Sequence, residues 1–122
     1  MYKKIALTVF ALFYFVIFSA VSLYAQDVAK VAPKNYKVLI DNDKVRVIDN
    51  ISNAGEKSDW HSHPDMLVYV IEGGKTLSTT KDGKSETIVF KKGATLYRNA
   101  VTHKTENVGK TKLHLILVEL KK

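Results

Sequence analysis

Beyond residue 35 the chain is written in short runs rich in Val, Ile, Thr and Tyr, separated by turn residues. That pattern predicts strands. Nine are expected, over Tyr36–Ile40, Lys44–Ile51, Asp59–His63, Met66–Ile71, Lys75–Thr80, Lys84–Phe90, Ala94–Arg98, His103–Val108 and Lys112–Leu120. No stretch repeats its apolar residues at the helical period of 3.6. Lys44–Ile51 alternates, with Val45, Val47 and Asp49 on one face and Arg46, Ile48 and Asn50 on the other. Asp82-Gly83 between two alternating runs is a strong hairpin signal. Met66–Ile71 is apolar almost throughout, which predicts a central strand covered on both faces. In the last strand His114, Ile116, Val118 and Leu120 share a face, and this predicts a core position for His114. Short strands at this spacing predict an all-β sandwich or a closed barrel.

The beginning of the chain reads differently. Lys3 and Lys4 precede the apolar, uncharged run Ile5–Leu23, and Ala25 stands before Gln26. A charged start, an apolar core and a small residue at the junction form an export signal. Residues 1–25 are therefore expected to be a signal peptide. The run approaches the ~20 residues that span a bilayer, so an uncleaved anchor is the alternative. Residues 26–35 read as a loose leader and 36–122 as one domain, placed in the periplasm or outside the cell.

Composition narrows the partners. The 122 residues carry a formal net charge of +7. The lysines are scattered through turns and strand faces, which argues against a nucleic-acid groove. Membrane contact is expected only through the N-terminal segment. There is no Cys, so neither a disulfide nor a thiol-linked lipid holds this exported chain. Packing or a bound metal must stabilise it.

The chemistry centres on Trp60-His61-Ser62-His63-Pro64. Residues two apart on a strand share a face. The Cα atoms of His61 and His63 then lie roughly 6–7 Å apart, and both imidazoles can reach one ion. His103 stands in another strand-like segment. Neutral imidazoles suit Zn, Cu, Fe and Ni. Asp65 follows His63 by two residues and is either a further ligand or a turn residue after Pro64. His114 is a core residue, a fourth ligand or a group that orients another His. Trp60, Met66, Tyr69, Tyr97 and Arg98 are pocket candidates, and Arg98 is the one able to grip a carboxylate bidentately. No Ser with an attached His and acid is recognisable, and no glycine-rich phosphate loop is present.

Gly55 followed at a distance by His61-Ser62-His63, and the run Leu67–Gly73 after it, resemble the first motif of the cupin superfamily. Gly93-Ala94-Thr95-Leu96-Tyr97-Arg98-Asn99-Ala100-Val101-Thr102-His103, on to Asn107, resembles the second. The resemblance spans about Asp41 to Glu119. It implies a small, single-domain RmlC-like jelly-roll β-barrel with a divalent transition metal (Zn, Fe, Mn, Ni or Cu) held near its mouth by His61, His63 and His103. The family's carboxylate ligand does not carry over, because Leu67 and Val68 occupy its positions. Arg98 or Asn99 and Ala100 stand near the places of the second motif's usual Pro and Gly.

Three functions fit this reading. The first is a metal-dependent oxygenase or isomerase/lyase acting on a small, anionic metabolite. The second is a ligand-binding barrel without catalysis, and the third is a metal-stapled structural module. Pairing of two copies through an edge strand is a further expectation.

Overall fold

The computed structural model describes residues 27–122. The expected signal peptide lies outside the described residues. Nine strands follow one helical turn: α1 (Val28–Val31), β1 (Tyr36–Asp41), β2 (Val45–Ser52), β3 (Lys57–His63), β4 (Met66–Glu72), β5 (Gly74–Thr80), β6 (Ser85–Phe90), β7 (Thr95–Arg98), β8 (Val101–Asn107) and β9 (Leu113–Leu120). The expected strands fall on these within a few residues. The stretch expected to be a loose leader instead contains α1, whose Val28 is fully buried. Asp27 caps the turn by accepting a hydrogen bond from the Ala29 backbone N–H at 3.1 Å. Four residues are too few to show a helical period, which is why the pattern did not reveal it.

The strands form two sheets, one of five in the order β1-β2-β9-β4-β7 and one of four in the order β3-β8-β5-β6. Every pairing within them is antiparallel. Among the described residues the ladders do not close into one cylinder, so the expected barrel is a two-sheet jelly roll. The reason lies at the corners. Pro64, which has no N–H to donate, and Asp65 carry the chain from β3 in one sheet to β4 in the other. Gly73 returns it to β5. A side chain at Gly73 would place its Cβ 2.5 Å from the Phe90 carbonyl oxygen, so the corner can close against the end of β6 only without one. The Asp82-Gly83 signal is a hairpin, with Thr79 opposite Ser85 and Gly83 at φ +83°.

The core lies between the sheets and includes Ile48, Val68, Val70, Leu115 and Leu117. Two expectations about faces are corrected here. β4 is covered on one face only: Met66, Val68 and Val70 are buried, while Leu67 and Tyr69 are exposed. In β9 the buried face is Leu113, Leu115, Leu117 and Glu119, not the face of His114. Both faces of β9 are largely apolar, so period-two alternation alone could not say which one turns inward.

Candidate metal centre

His61 and His63 share the inner face of β3, as their spacing predicts. β8 pairs with β3 so that His103 lies directly opposite His61. The three side chains are buried, and their prospective ligand atoms all lie within 4.8 Å of one another. Ring centroids are 4.7 Å apart for His61 and His103, 5.0 Å for His61 and His63, and 5.6 Å for His63 and His103.

Each ring is held by its Nδ1. That of His61 lies 2.7 Å from the Asp59 carbonyl oxygen and that of His63 lies 2.6 Å from Glu119 Oε1. Neither oxygen has a proton to give, so both Nδ1 atoms carry the hydrogen and donate it. Nδ1 of His103 is 2.7 Å from Ser78 Oγ. With Nδ1 protonated, a neutral imidazole leaves its lone pair on Nε2. Nε2 of His61 and Nε2 of His103 are buried with no hydrogen-bond partner. A buried polar atom left unpaired costs about 1–3 kcal/mol, and a shared metal ion removes that cost at both.

Charge state agrees with this use. Burial, opposed in part by the bond to the Asp59 carbonyl, lowers the pKa of His61 to about 4. Burial, with His61 and His63 nearby, lowers His103 to about 3. Both rings are therefore unprotonated at neutral pH, the form a metal requires. Glu119 is almost fully buried. Burial alone would raise its pKa, but hydrogen bonds from His63 and Arg46 outweigh burial and hold it below the ordinary carboxylate value. Arg46 donates from Nε to Glu119 Oε2 at 2.7 Å and from Nη1 to Asp27 Oδ1 at 2.9 Å. A chain of hydrogen-bonded side chains thus runs from His63 through Glu119 and Arg46 to Asp27, the residue that caps α1.

The other anticipated residues separate. Asp65 brings no ligand atom to the cluster. Its carboxylate accepts a hydrogen bond from the Ala100 backbone at 2.8 Å, which with the Tyr97 hydroxyl lowers its pKa. Pro64 ends β3, so Asp65 no longer follows the inward face. His114 brings no ligand atom either. It lies on the outer face of the five-stranded sheet, with Nε2 2.6 Å from Asp49 Oδ1. Trp60 also faces outward, beneath Lys81 Nζ at 3.8 Å from the ring centroid. That distance is in the range of a cation–π contact. Tyr69 and Tyr97 are about half exposed and lie outside the cavity. Met66 and Arg98 do line the cavity beside His63 and His103, together with Tyr36 and Asn50. Arg98 also pairs with Glu86 at 3.2 Å.

Sequence reasoning missed Glu119, Arg46 and Tyr36. Glu119 had a signal, an acid continuing the stripe Leu113, Leu115, Leu117. Tyr36 packs against the histidines, with ring centroids 5.7 Å from His61 and 6.3 Å from His63. Burial raises its pKa despite hydrogen bonding with Thr105, Ser58 and Asn50, so the phenol is neutral.

Two antiparallel sheets enclosing a histidine cluster define a jelly-roll domain able to chelate a metal. No family model and no curated protein matches the chain. Solved structures do. A cupin domain of Bordetella pertussis Tohama I is 29% identical, with a TM-score of 0.65, covering 71% of this chain and 92% of that one. An RmlC-like cupin family protein of Methanocaldococcus jannaschii, with a double-stranded β-helix fold, is 17% identical at a TM-score of 0.56, covering 70% and 78%. A double-stranded β-helix domain protein of Klebsiella pneumoniae is 18% identical at 0.56, covering 70% and 74%. These matches support assigning the chain to the cupin superfamily.

Proposed function

We propose that this is an exported cupin in which His61, His63 and His103 bind one divalent transition metal through Nε2 and present it to a small anionic metabolite. The observation that carries the reading is the pair of buried Nε2 atoms, on His61 and His103, without partners. Zn, Fe, Mn, Ni and Cu are the candidates, and an all-imidazole set suits the borderline metals Zn, Cu, Fe and Ni best. Such an ion supplies Lewis-acid polarisation of a bound oxygen. Three neutral ligands leave its charge uncompensated, which favours an anion. Arg98 adds a second positive group on the cavity wall. Tyr36 and Asn50 offer neutral hydrogen-bonding groups. Met66 and Val68 line the wall with apolar surface that excludes water. The chemistry this suits is oxygenation, or isomerisation and lyase reactions. Export rests on Lys3, Lys4 and the apolar run Ile5–Leu23.

One observation favours a second reading, a binding module without catalysis. The cavity-lining carboxylate Glu56 is engaged by Asn35 and Asn53, and its pKa is lowered first by the Asn53 backbone. Such a carboxylate is a poor general base. Elemental analysis of protein purified without a metal-affinity column, followed by metal titration, tests the shared core of both readings. One ion per chain is expected, lost in His61→Ala and in His103→Ala. Full retention of the ion in both variants would refute this ligand set. Turnover of a ligand that binds only to the loaded protein separates enzyme from module.

A further inference from the structure

Two seams separate the sheets, and the chain closes them differently. At one, between β1 and β3, α1 packs against both strands and Asp27 bridges to Ser62. At the other, β6 and β7 run in opposite directions away from the turn at residues 91–94 without pairing with each other. Near that turn Phe90 is buried, and Ile88 and Leu96 pack against the core. At the far ends stand Glu86 and Arg98, their side chains 3.2 Å apart. Cross-strand partners share a face of the sheet. Glu86 is partnered with Ser78, the residue that holds Nδ1 of His103, and Arg98 with the buried Met66. Both charges therefore sit on inner faces, and the ion pair spans the seam from sheet to sheet beside the histidine cluster. Arg98 is close enough to His103 that, after burial and the two other histidines, its charge also lowers the pKa of that ring.

The chain has two arginines. Arg46 is committed to Glu119 and Asp27 inside the fold. Arg98 is held by a carboxylate whose side chain is 62% exposed, and its own is 32% exposed. An exposed ion pair is weak, because water competes for both charges and two long side chains must be ordered. A carboxylate anchored beside a divalent ion is already in place, and it can accept both arms of the guanidinium. We propose that Glu86 is a latch on the mouth of the cavity. It holds Arg98 across the β6–β7 seam until a carboxylate-bearing ligand enters there and takes the guanidinium over. This rests on the reading of the histidines as a metal centre for small anions. It narrows the ligand to one that carries a carboxylate for Arg98 and a second oxygen for the metal. Glu86 also sets selectivity. An ion such as chloride, which cannot match the guanidinium fork, gains too little from Arg98 to displace a tethered carboxylate.

Phenylglyoxal, which modifies free guanidinium groups, reads the latch with no metal present. Mass spectrometry of the peptides should show Arg98 modified up to about fivefold faster in Glu86→Gln than in the wild type, with Arg46 as the internal standard. Equal rates overturn the latch. Cobalt-loaded protein then reads the ligand through the visible spectrum of the ion, with two probes. Malonate offers one carboxylate to the ion and one to Arg98, whereas azide engages the ion alone. Malonate should bind up to about fivefold tighter in Glu86→Gln and about tenfold or more weaker in Arg98→Gln. Azide affinity should be the same in both, which shows that the variants keep the fold and the ion. Malonate affinity unchanged in Arg98→Gln, with azide still bound, overturns the proposal and leaves the metal reading intact. A wild-type protein that takes up no cobalt defeats the metal reading itself, and with it the ligand assigned to Arg98.

Discussion

His61 and His103 are buried with each Nδ1 at hydrogen-bond distance of an oxygen and each Nε2 without a partner, and this makes protonating them costly in the fold. In the unfolded chain a histidine titrates near 6.5. In the fold burial lowers His61 to about 4 and His103 to about 3. Between those values and 6.5 the unfolded chain binds protons that the folded one refuses. The stability of the metal-free protein is therefore expected to fall as pH drops from about 6.5 toward about 4, on the order of 3 kcal/mol for His61 alone. Urea midpoints of the metal-free protein across that range measure it. His103→Gln, which has no titrating ring, should flatten the slope, and an unchanged slope would mean that the ring is solvated. His61 and His63 were legible because a two-residue spacing fixes a shared face whatever the register, and His103 through the resemblance of Gly93–Asn107 to a second motif. Asp65 was not, because Pro64 breaks the strand on which the same argument depends.

At the level of elements, β9 decides how the histidine cluster is held. Its sequence offers two apolar faces, each with three aliphatic residues and one polar one, His114 on one and Glu119 on the other. The structure buries the other, Leu113, Leu115, Leu117 and Glu119, because β9 is paired on both sides and only one face of the sheet meets the second sheet. That choice delivers Glu119 to His63. The carboxylate missing after the first histidine pair thus arrives from the far end of the chain, as a hydrogen-bond partner of His63. A carboxylate accepting from Nδ1 fixes the tautomer and raises the basicity of Nε2. Glu119→Gln is expected to weaken metal affinity about 10–100-fold while leaving one ion per chain at saturation, as read by competition with a chromophoric chelator. Unaltered affinity would reduce Glu119 to a structural counter-charge for Arg46. The strands themselves were legible from composition and turn residues. The pairing that brings β9 between β2 and β4 was not, since nothing local encodes which distant strands become neighbours.

Across the whole molecule, the three histidines belong to the four-stranded sheet and Glu119 to the five-stranded one. The bond between His63 and Glu119 crosses the core, and Arg46 extends it to Asp27 at the cap of α1. A metal on the histidines therefore acts on the packing of both sheets and on the entry of the chain into the fold. With no Cys anywhere in the sequence, no covalent link shares that duty. Binding that is confined to the folded state stabilises it by about 2.7 kcal/mol when free metal stands at one hundred times its dissociation constant. For a domain of this size each kcal/mol moves Tm by about 4–8 °C. Chelation is thus expected to lower Tm by roughly 10–20 °C, and re-addition of metal should restore it. Differential scanning calorimetry with and without chelator reads this, and the size of the drop discriminates among functions. Complete unfolding on chelation at room temperature would make the ion a staple. A partial drop, with the metal-free domain still folded, leaves the ion free to serve a ligand. The packed core between the sheets and the neutral state of the buried rings favour the second result.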